Sequence, residues 1–228
     1  DGLFVYVPKN VVAEKPIQLI NAVGISEDVL VLNRNLIILE ENSELKLIHC
    51  DDSYNYKRSF TNSVSEIVLG ANASLDHYRL QNINNNSTII SSIAVEQARD
   101  SRFSTNNIVL NGGLIRNEIY TKLNGQGAHA DVLGVYLADK NQHIDNQVFV
   151  DHAMPNCTSN ELFKGILDDY ARAVFNGHIL VRKDAQKTLA YQNNANIILT
   201  DKAMINTKPF LEIYADDVKC SHGATVGQ

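Results

Sequence analysis

The stretch SEIVLGANASLDHYRL, residues 65–80, holds two runs of alternating apolar and polar residues on either side of a short corner. Alternation with a period of two is typical of β-strands that bury one face. The corner, Asn72-Ala73, combines a residue that tolerates left-handed backbone with a small one. The stretch therefore predicts two strands joined by a tight corner, not a helix.

The same arrangement recurs along the chain, in residues 35–49, 87–110 and 118–138. The corner pairs are Asn42-Ser43, Asn72-Ala73, Asp100-Ser101, Gly127-Ala128 and Asp184-Ala185. The first residues of successive pairs are separated by 30, 28, 27 and 57 positions, and the last separation is about twice the others. A recurring unit of this size, built from strands and corners, is the mark of a solenoid whose coils stack.

Competing all-β folds are less compatible with this repeat. Tryptophan is absent, and the chain lacks the aromatic signature of propeller blades. A β-sandwich also has many short strands, but it has no reason to repeat its corners. Asparagine side chains at successive corners can hydrogen-bond along a coil axis. We therefore predict an all-β chain in which residues 1–228 form a single parallel β-helix domain.

The composition narrows the classes of partner. With 44% hydrophobic residues the chain can build a core, and its formal charge of −6 disfavours nucleic acid or an anionic membrane as a partner. No run approaches the length of about 20 apolar residues that a membrane span requires. No basic region or cleavage site marks a signal peptide near residue 1, and the missing initial Met suggests the core of a longer protein.

The cysteines indicate the compartment. Cys50, Cys157 and Cys220 are few, odd in number and widely spaced, which fits no disulfide framework. Such a pattern suits a reducing environment. We expect the protein to be cytoplasmic.

Two clusters of potential metal ligands are weak candidates. In HCDD, residues 49–52, strand alternation places His49 and Asp51 on one face and the other two side chains on the opposite face. In VDHAMPNC, residues 150–157, a proline forces a turn between the ligand types, and no second cluster completes a four-ligand site. We interpret both segments as structural.

The closing segment FLEIYADDVKCSHGATVGQ, residues 210–228, is the third candidate. It contains a β-run, an acidic corner and a second run in which Cys220 and His222 share one face. One histidine and one cysteine are too few to hold iron unaided, so a metal site here requires ligands from another chain. The residues alone favour the other interpretation, in which Cys220 packs inward as a small hydrophobe and His222 hydrogen-bonds in the core or at an interface.

A further alternative is a carbohydrate-active enzyme, a lyase or hydrolase built on a β-helix. It would need carboxylates that converge in the folded chain, together with aromatic residues that stack on sugars. Aromatic residues make up only 7% of the chain, which weakens this hypothesis. No nucleophile elbow, phosphate loop or dinucleotide-binding motif is present in the sequence.

Three long segments of the chain resemble the SufB/SufD family of scaffold proteins in the Suf system of iron–sulfur cluster assembly. They are DGLFVYVPKNV (residues 1–11), TSNELFKG (158–165) and the run from VFNGHILV to CSHGATVGQ (174–228). The resemblance spans essentially the whole chain. It implies a right-handed β-helix core flanked by helical regions that are missing from this sequence.

Two positions make the chain resemble the SufD-type subunit. The family's SufB-type subunit has a scaffold cysteine where this chain has Asn194, and a glutamate after the histidine where this chain has Gly223. The resemblance thus implies a non-catalytic subunit that cannot hold a cluster by itself. No cofactor is expected on the isolated chain.

The family also implies the partners and the site. A SufB-type subunit would pair with the C-terminal strands, and a SufC-type ATPase would bind through the missing C-terminal helical region. A nascent cluster or iron would be shared at the interface, with His222 as a partial ligand and Cys220 as the secondary candidate. A homodimer through residues around 211–226 is a further possibility.

Overall fold

The computed structural model of the protein describes residues 2–24 and 26–227, in which strands and turns account for all regular structure and no helix occurs. The strands are β1 (Phe4–Val7), β2 (Ile17–Val23), β3 (Val29–Leu39), β4 (Glu44–Ser53), β5 (Ser59–Leu69), β6 (Ser74–Asn82), β7 (Thr88–Gln97), β8 (Arg102–Asn111), β9 (Leu114–Leu123), β10 (His129–Ala138), β11 (His143–His152), β12 (Thr158–Leu167), β13 (Arg172–Val181), β14 (Leu189–Ile198), β15 (Met204–Ile213) and β16 (Lys219–Gly227).

Two parallel sheets form the walls of a coil. The odd-numbered strands make one eight-stranded sheet in chain order, and the even-numbered strands make the other. Each strand therefore pairs in parallel with the strand two positions along the chain, while its immediate successor lies in the opposite sheet. This topology confirms the predicted all-β parallel β-helix. Its right hand and its flanking helical regions stay predictions.

The register stacks equivalent residues of successive coils. In the odd-numbered sheet, Ile37 pairs with Ile67, and Ile67 with Val95, and all three are buried. Full burial of such a side chain contributes about 1.5–3 kcal/mol. Two apolar clusters result, one extending from Val5 to Phe103 and the other from Ile83 to Ala215. The alternation in the sequence thus builds the interior of the coil.

The corners confirm the repeat and correct it at one place. Asn42, Asn72, Asp100 and Gly127 all have positive φ, as left-handed corners require. At the fifth corner, however, the left-handed residue is Lys187, and Asp184 is an ordinary turn residue. The loop at this corner is longer than the loops at the others. It contains Asp184-Ala185, a turn residue followed by a small one, ahead of the left-handed residue, and this is why the pair resembled the other corners.

Asparagines form the predicted ladder along the coil axis. Asn72 Nδ2 donates to Asn42 Oδ1 at 3.0 Å, and Asn42 Nδ2 donates to Asn10 Oδ1 at 2.8 Å. The three side chains lie on successive left-handed corners. The ladder helps to fix the stacking of the first coils.

The last coil leaves one edge of each sheet open. Among the described residues, β15 pairs only with β13 and β16 only with β14. Most residues of β15 and β16 are partly or fully exposed, even at positions whose equivalents in earlier coils are buried. The described part of the chain contains no helix long and apolar enough to cross a membrane.

Candidate functional site

The open end of the coil carries Cys220 and His222. On β16 they pair with Ala190 and Gln192 of β14, which are 0% and 2% exposed. Because strand partners share a face, Cys220 and His222 continue two inward-facing positions onto the last coil. They are less buried than their partners because no described strand covers them. The predicted shared face is confirmed.

His222 reaches across the end of the coil to the opposite sheet. Its Nδ1 lies 2.8 Å from the carbonyl oxygen of Pro209 on β15. A carbonyl oxygen only accepts hydrogen bonds, so Nδ1 is the donor and carries the proton. In the neutral ring Nε2 then holds a free lone pair, which is the usual arrangement of a histidine that ligates a metal.

Cys220 is a less available ligand. It is half-buried and packs against the C-terminal apolar cluster. Burial raises the pKa of its thiol, and a backbone hydrogen bond from Ala190 offsets part of this effect. The thiol therefore stays protonated at neutral pH unless a metal or a partner displaces the proton.

The described residues do not by themselves assemble a complete metal site. Among the described residues no group of three or more His, Cys, Asp or Glu side chains is placed to hold an ion. His222 and Cys220 are two potential ligands on one open edge. Any complete coordination sphere at this place needs donors from outside the described chain.

The HCDD segment folds as the sequence predicts. His49 and Asp51 face the interior of the coil, and both are buried. Arg79 donates to Asp51 Oδ2 through Nε at 3.1 Å and Nη2 at 2.8 Å. Burial alone would raise the pKa of Asp51, but the charge of Arg79 and the hydrogen bond from His49 hold it far below its usual range. These groups form an internal ion pair, not a metal centre.

The VDHAMPNC segment is also divided between separate environments. Asp151 accepts from Arg182 at 2.9 and 2.7 Å. His152 lies inside the coil with Nε2 2.8 Å from Ser159 Oγ, and Cys157 donates to a backbone carbonyl elsewhere. Burial lowers the pKa of His152 to about 4, so its ring is neutral. The three ligand types do not converge.

Sequence reasoning missed an aromatic ladder on the outer face of the odd-numbered sheet. Tyr120 stacks on Phe149 with centroids 5.0 Å apart, Phe149 meets the edge of His178 at 4.6 Å, and His178 stacks on Phe210 at 4.0 Å. The ladder lines an open groove of about 360 Å³. The feature of the sequence that could have predicted this ladder is the spacing of its residues, which lie about one coil apart along the chain.

Most of the chain matches a known protein family. The family described as "SUF system FeS cluster assembly, SufBD core domain" matches residues 22–228 of the chain. An iron–sulfur cluster assembly SufBD family protein of Synechocystis is 34% identical over 100% of this chain and 52% of its own length. The iron–sulfur cluster assembly protein SufD of Escherichia coli is 37% identical over 86% of this chain and 46% of its own length.

A third relative, the protein of the same name from Bacillus subtilis, is 30% identical over 100% of this chain and 52% of its own length. The chain thus spans about half the length of the curated relatives it matches. The family match covers strands β3 to β16 and thus includes the open edge that carries His222. The chain belongs to the SufB/SufD family of iron–sulfur cluster assembly proteins, as a SufD-type member.

Proposed function

We propose that this chain is a non-catalytic scaffold subunit in iron–sulfur cluster assembly, which pairs with a SufB-type subunit through the open edge at β16. The cargo is iron or a nascent cluster, shared at the interface, with His222 as a ligand and Cys220 as a secondary one. The observation that carries the proposal is the position of His222. It lies on an open edge with its Nδ1 proton bonded to Pro209 and its Nε2 available.

The number and type of donors suit temporary binding. A neutral imidazole is a more labile iron ligand than a thiolate, so a site with few thiolates on this side can release its cargo. The remaining donors come from the partner in this proposal. Separation of the two chains would then dismantle the site.

The open edge also suits strand pairing. An edge strand presents unpaired backbone N–H and C=O groups, which seek a partner. Residues around 211–226 form the end of both sheets and offer the same surface to a SufB-type subunit or to a second copy of the chain. A SufC-type ATPase is proposed from the family alone, through the C-terminal helical region outside this sequence. We place the assembly in the cytoplasm, and no nucleic acid or membrane is part of it.

The enzyme hypothesis gains no support from the outer groove. Its carboxylates, Glu118 and the neighbouring Asp145, both accept from Arg116. Burial would raise the pKa of Glu118, but hydrogen bonds from Arg116 and Ser92 lower it below its ordinary value. A glycosidase needs a carboxylic acid with a raised pKa as proton donor. Glu118 therefore lacks the property that this chemistry requires.

The test is co-expression of the full-length parent with its SufB-type and SufC-type partners without oxygen, as wild type, His222→Ala and His143→Ala. His143 is a matched control on the outer face of β11. We expect all three complexes to assemble, and the His222→Ala complex alone to lose most of its iron and acid-labile sulfide. Unchanged iron and sulfide in His222→Ala would show that this histidine is structural, and failure of the wild type to co-purify would contradict the pairing.

A further inference from the structure

The aromatic ladder on the outer face of the odd-numbered sheet ends beside a small residue. Its four rings occupy one register column on β9, β11, β13 and β15. In the same column, β7 carries Ala94 next to Tyr120, and β5 carries Glu66. Ala94 is exposed and has no ring, so the column lacks one rung between Tyr120 and Glu66. We call this place the Ala94 slot.

The Ala94 slot has the width of one aromatic ring. Neighbouring strands lie about 4.8 Å apart, so the positions of Tyr120 and Glu66 are separated by about 10 Å. On its other side Tyr120 stacks on Phe149, with ring planes within 9° of each other. The second face of the Tyr120 ring is therefore turned towards Ala94, and Tyr120 is 43% exposed. A flat ring above Ala94 would continue the ladder at an ordinary stacking distance.

One edge of the Ala94 slot is lined by hydrogen-bond acceptors. Ser92 lies on the same outer face of β7, and Glu118 is its register partner on β9. Ser92 Oγ donates to Glu118 Oε2, and Arg116 Nε donates to Glu118 Oε1, both at 2.8 Å. Burial would raise the pKa of Glu118, but these hydrogen bonds hold it below its ordinary value, so the carboxyl is ionised at neutral pH. A carboxylate only accepts hydrogen bonds, and it keeps lone pairs for a further donor.

These features select the chemistry of a ligand. The open face of Tyr120 favours a flat aromatic ring. The acceptors beside the slot favour a ring that carries an N–H donor. Carboxylates at the edge and at the far end, Glu118 and Glu66, disfavour an anion. The slot belongs to the groove of about 360 Å³, whose mostly apolar lining with a few polar groups is the usual form of a small-molecule site.

We propose that the Ala94 slot binds an uncharged small molecule with a flat, N–H-bearing aromatic ring. The ring stacks on Tyr120 and donates its N–H to Glu118. The site lies on the outer face of the coil, and the inference does not depend on the function proposed for the open edge. It assigns the groove a binding role that needs no carboxylic acid with a raised pKa.

The experiment compares two probes, indole and 1-methylindole, in saturation-transfer NMR titrations of the purified full-length parent. The probes share one ring system, and only indole carries an N–H. Ala94→Phe supplies the missing rung, and Ala195→Phe, on the outer face of β14, is the matched control. Glu118→Leu removes the acceptor, while Arg116 keeps Asp145 as a partner. Thermal unfolding checks that each variant is folded.

We expect indole to bind the wild type, and 1-methylindole to bind at least about fivefold more weakly because it cannot donate to a charged acceptor. Glu118→Leu should remove this preference. Ala94→Phe should weaken indole binding at least about tenfold because the new ring fills the slot, and Ala195→Phe should bind as the wild type does. Tyr120→Leu, which removes the stacking face, should also weaken binding and replaces Ala94→Phe as the test if that variant does not fold.

Three results would overturn the proposal. Absence of indole binding to the wild type would remove the site. Unchanged indole binding in a folded Ala94→Phe, or in Tyr120→Leu, would place the ring elsewhere on the protein. Equal affinity of the wild type for both probes would show that Glu118 accepts no hydrogen bond from the ring, and the assigned ligand chemistry would be wrong.

Discussion

His222 Nδ1 and the carbonyl oxygen of Pro209, 2.8 Å apart, join the last strands of the two sheets. The contact uses a backbone acceptor, so the ring orientation depends on the fold of β15 and not on another side chain. It also assigns the proton to Nδ1 and leaves Nε2 free. A fixed histidine at an open edge is what a site completed by a second chain requires.

Two amide substitutions separate the ligand role of His222 from its hydrogen bond. Asparagine places an N–H near the position of Nδ1 and can keep the bond to Pro209, while its side chain is too short to reach the position of Nε2. A glutamine side chain is longer and can reach the position of Nε2, but it cannot keep the hydrogen bond to Pro209. We expect His222→Asn to assemble normally with its partners and to lose most of the iron, measured as metal per purified complex. Wild-type iron content in His222→Asn would mean that the hydrogen bond is the function of this residue.

A lysine at Ala224 should prevent strand pairing without unfolding the chain. Ala224 follows the same inward face of β16 as His222 and is exposed on the open end. A charge there would be buried by any partner that continues the coil, at a high desolvation cost. We expect Ala224→Lys to reduce co-purification with a SufB-type partner at least about tenfold. Ala94→Lys, on the outer face of β7, is the control and should behave as the wild type. Equal recovery of both variants would exclude this edge as the interface.

The internal ion pair should dominate the stability of the N-terminal coils. Arg79 and Asp51 are 1% and 3% exposed, and removal of one member leaves an uncompensated buried charge. We expect Arg79→Met to lower the free energy of unfolding by about 3–5 kcal/mol in urea titrations. The exposed pair of Arg58 and Asp28 is the comparison, and Arg58→Met should lower the free energy of unfolding far less, because solvent screens this pair. Similar losses for both variants would contradict the burial argument.

Glu161 predicts a dependence of stability on pH. Its pKa is raised from 4.5 to about 8 in the folded chain. Its contribution to stability is therefore complete below pH about 4.5 and is lost as the pH rises towards about 8, by up to about 1.4 kcal/mol for each pH unit. We expect the free energy of unfolding of the wild type to fall across this window relative to Glu161→Gln. Urea titrations at several pH values measure the difference, and parallel curves would show that Glu161 has an ordinary pKa in the folded chain.

The contribution of His152 to stability depends on pH in the opposite direction. Its pKa falls from 6.5 to about 4 on folding, so the unfolded chain binds a proton over this range and the folded chain does not. Its contribution is complete above pH about 6.5 and is lost as the pH falls towards about 4. His152→Gln, which can keep a hydrogen bond with Ser159, should therefore gain stability relative to the wild type on acidification. A constant difference between the two proteins would contradict this.

Local patterns revealed more of the fold than of the site. The alternation around Asn72 and the spacing of the corners predict the β-helix because each coil repeats one local rule. The corner at Asp184 is misplaced because a longer loop contains a similar dipeptide ahead of Lys187. The shared face of Cys220 and His222 follows directly from strand alternation.

Contacts between coils could not be predicted from these local sequence patterns. Glu161, Gln192 and His222 are separated by 31 and 30 residues and meet only through the register of three strands. Once the coil length is known, such spacings identify residues of one column. The bond between His222 and Pro209 has no sequence signal, because its acceptor is a backbone carbonyl in the opposite sheet.

In the proposed function, His222 binds the iron of the assembled complex. The most direct measurement is pulsed electron paramagnetic resonance of the reduced complex, with ¹⁵N-histidine incorporated only into this chain and with His222→Ala as the control. We expect a ¹⁵N hyperfine coupling of directly ligated nitrogen in the wild type that disappears in His222→Ala. A cluster signal without that coupling in the wild type, or the same coupling in both proteins, would contradict it.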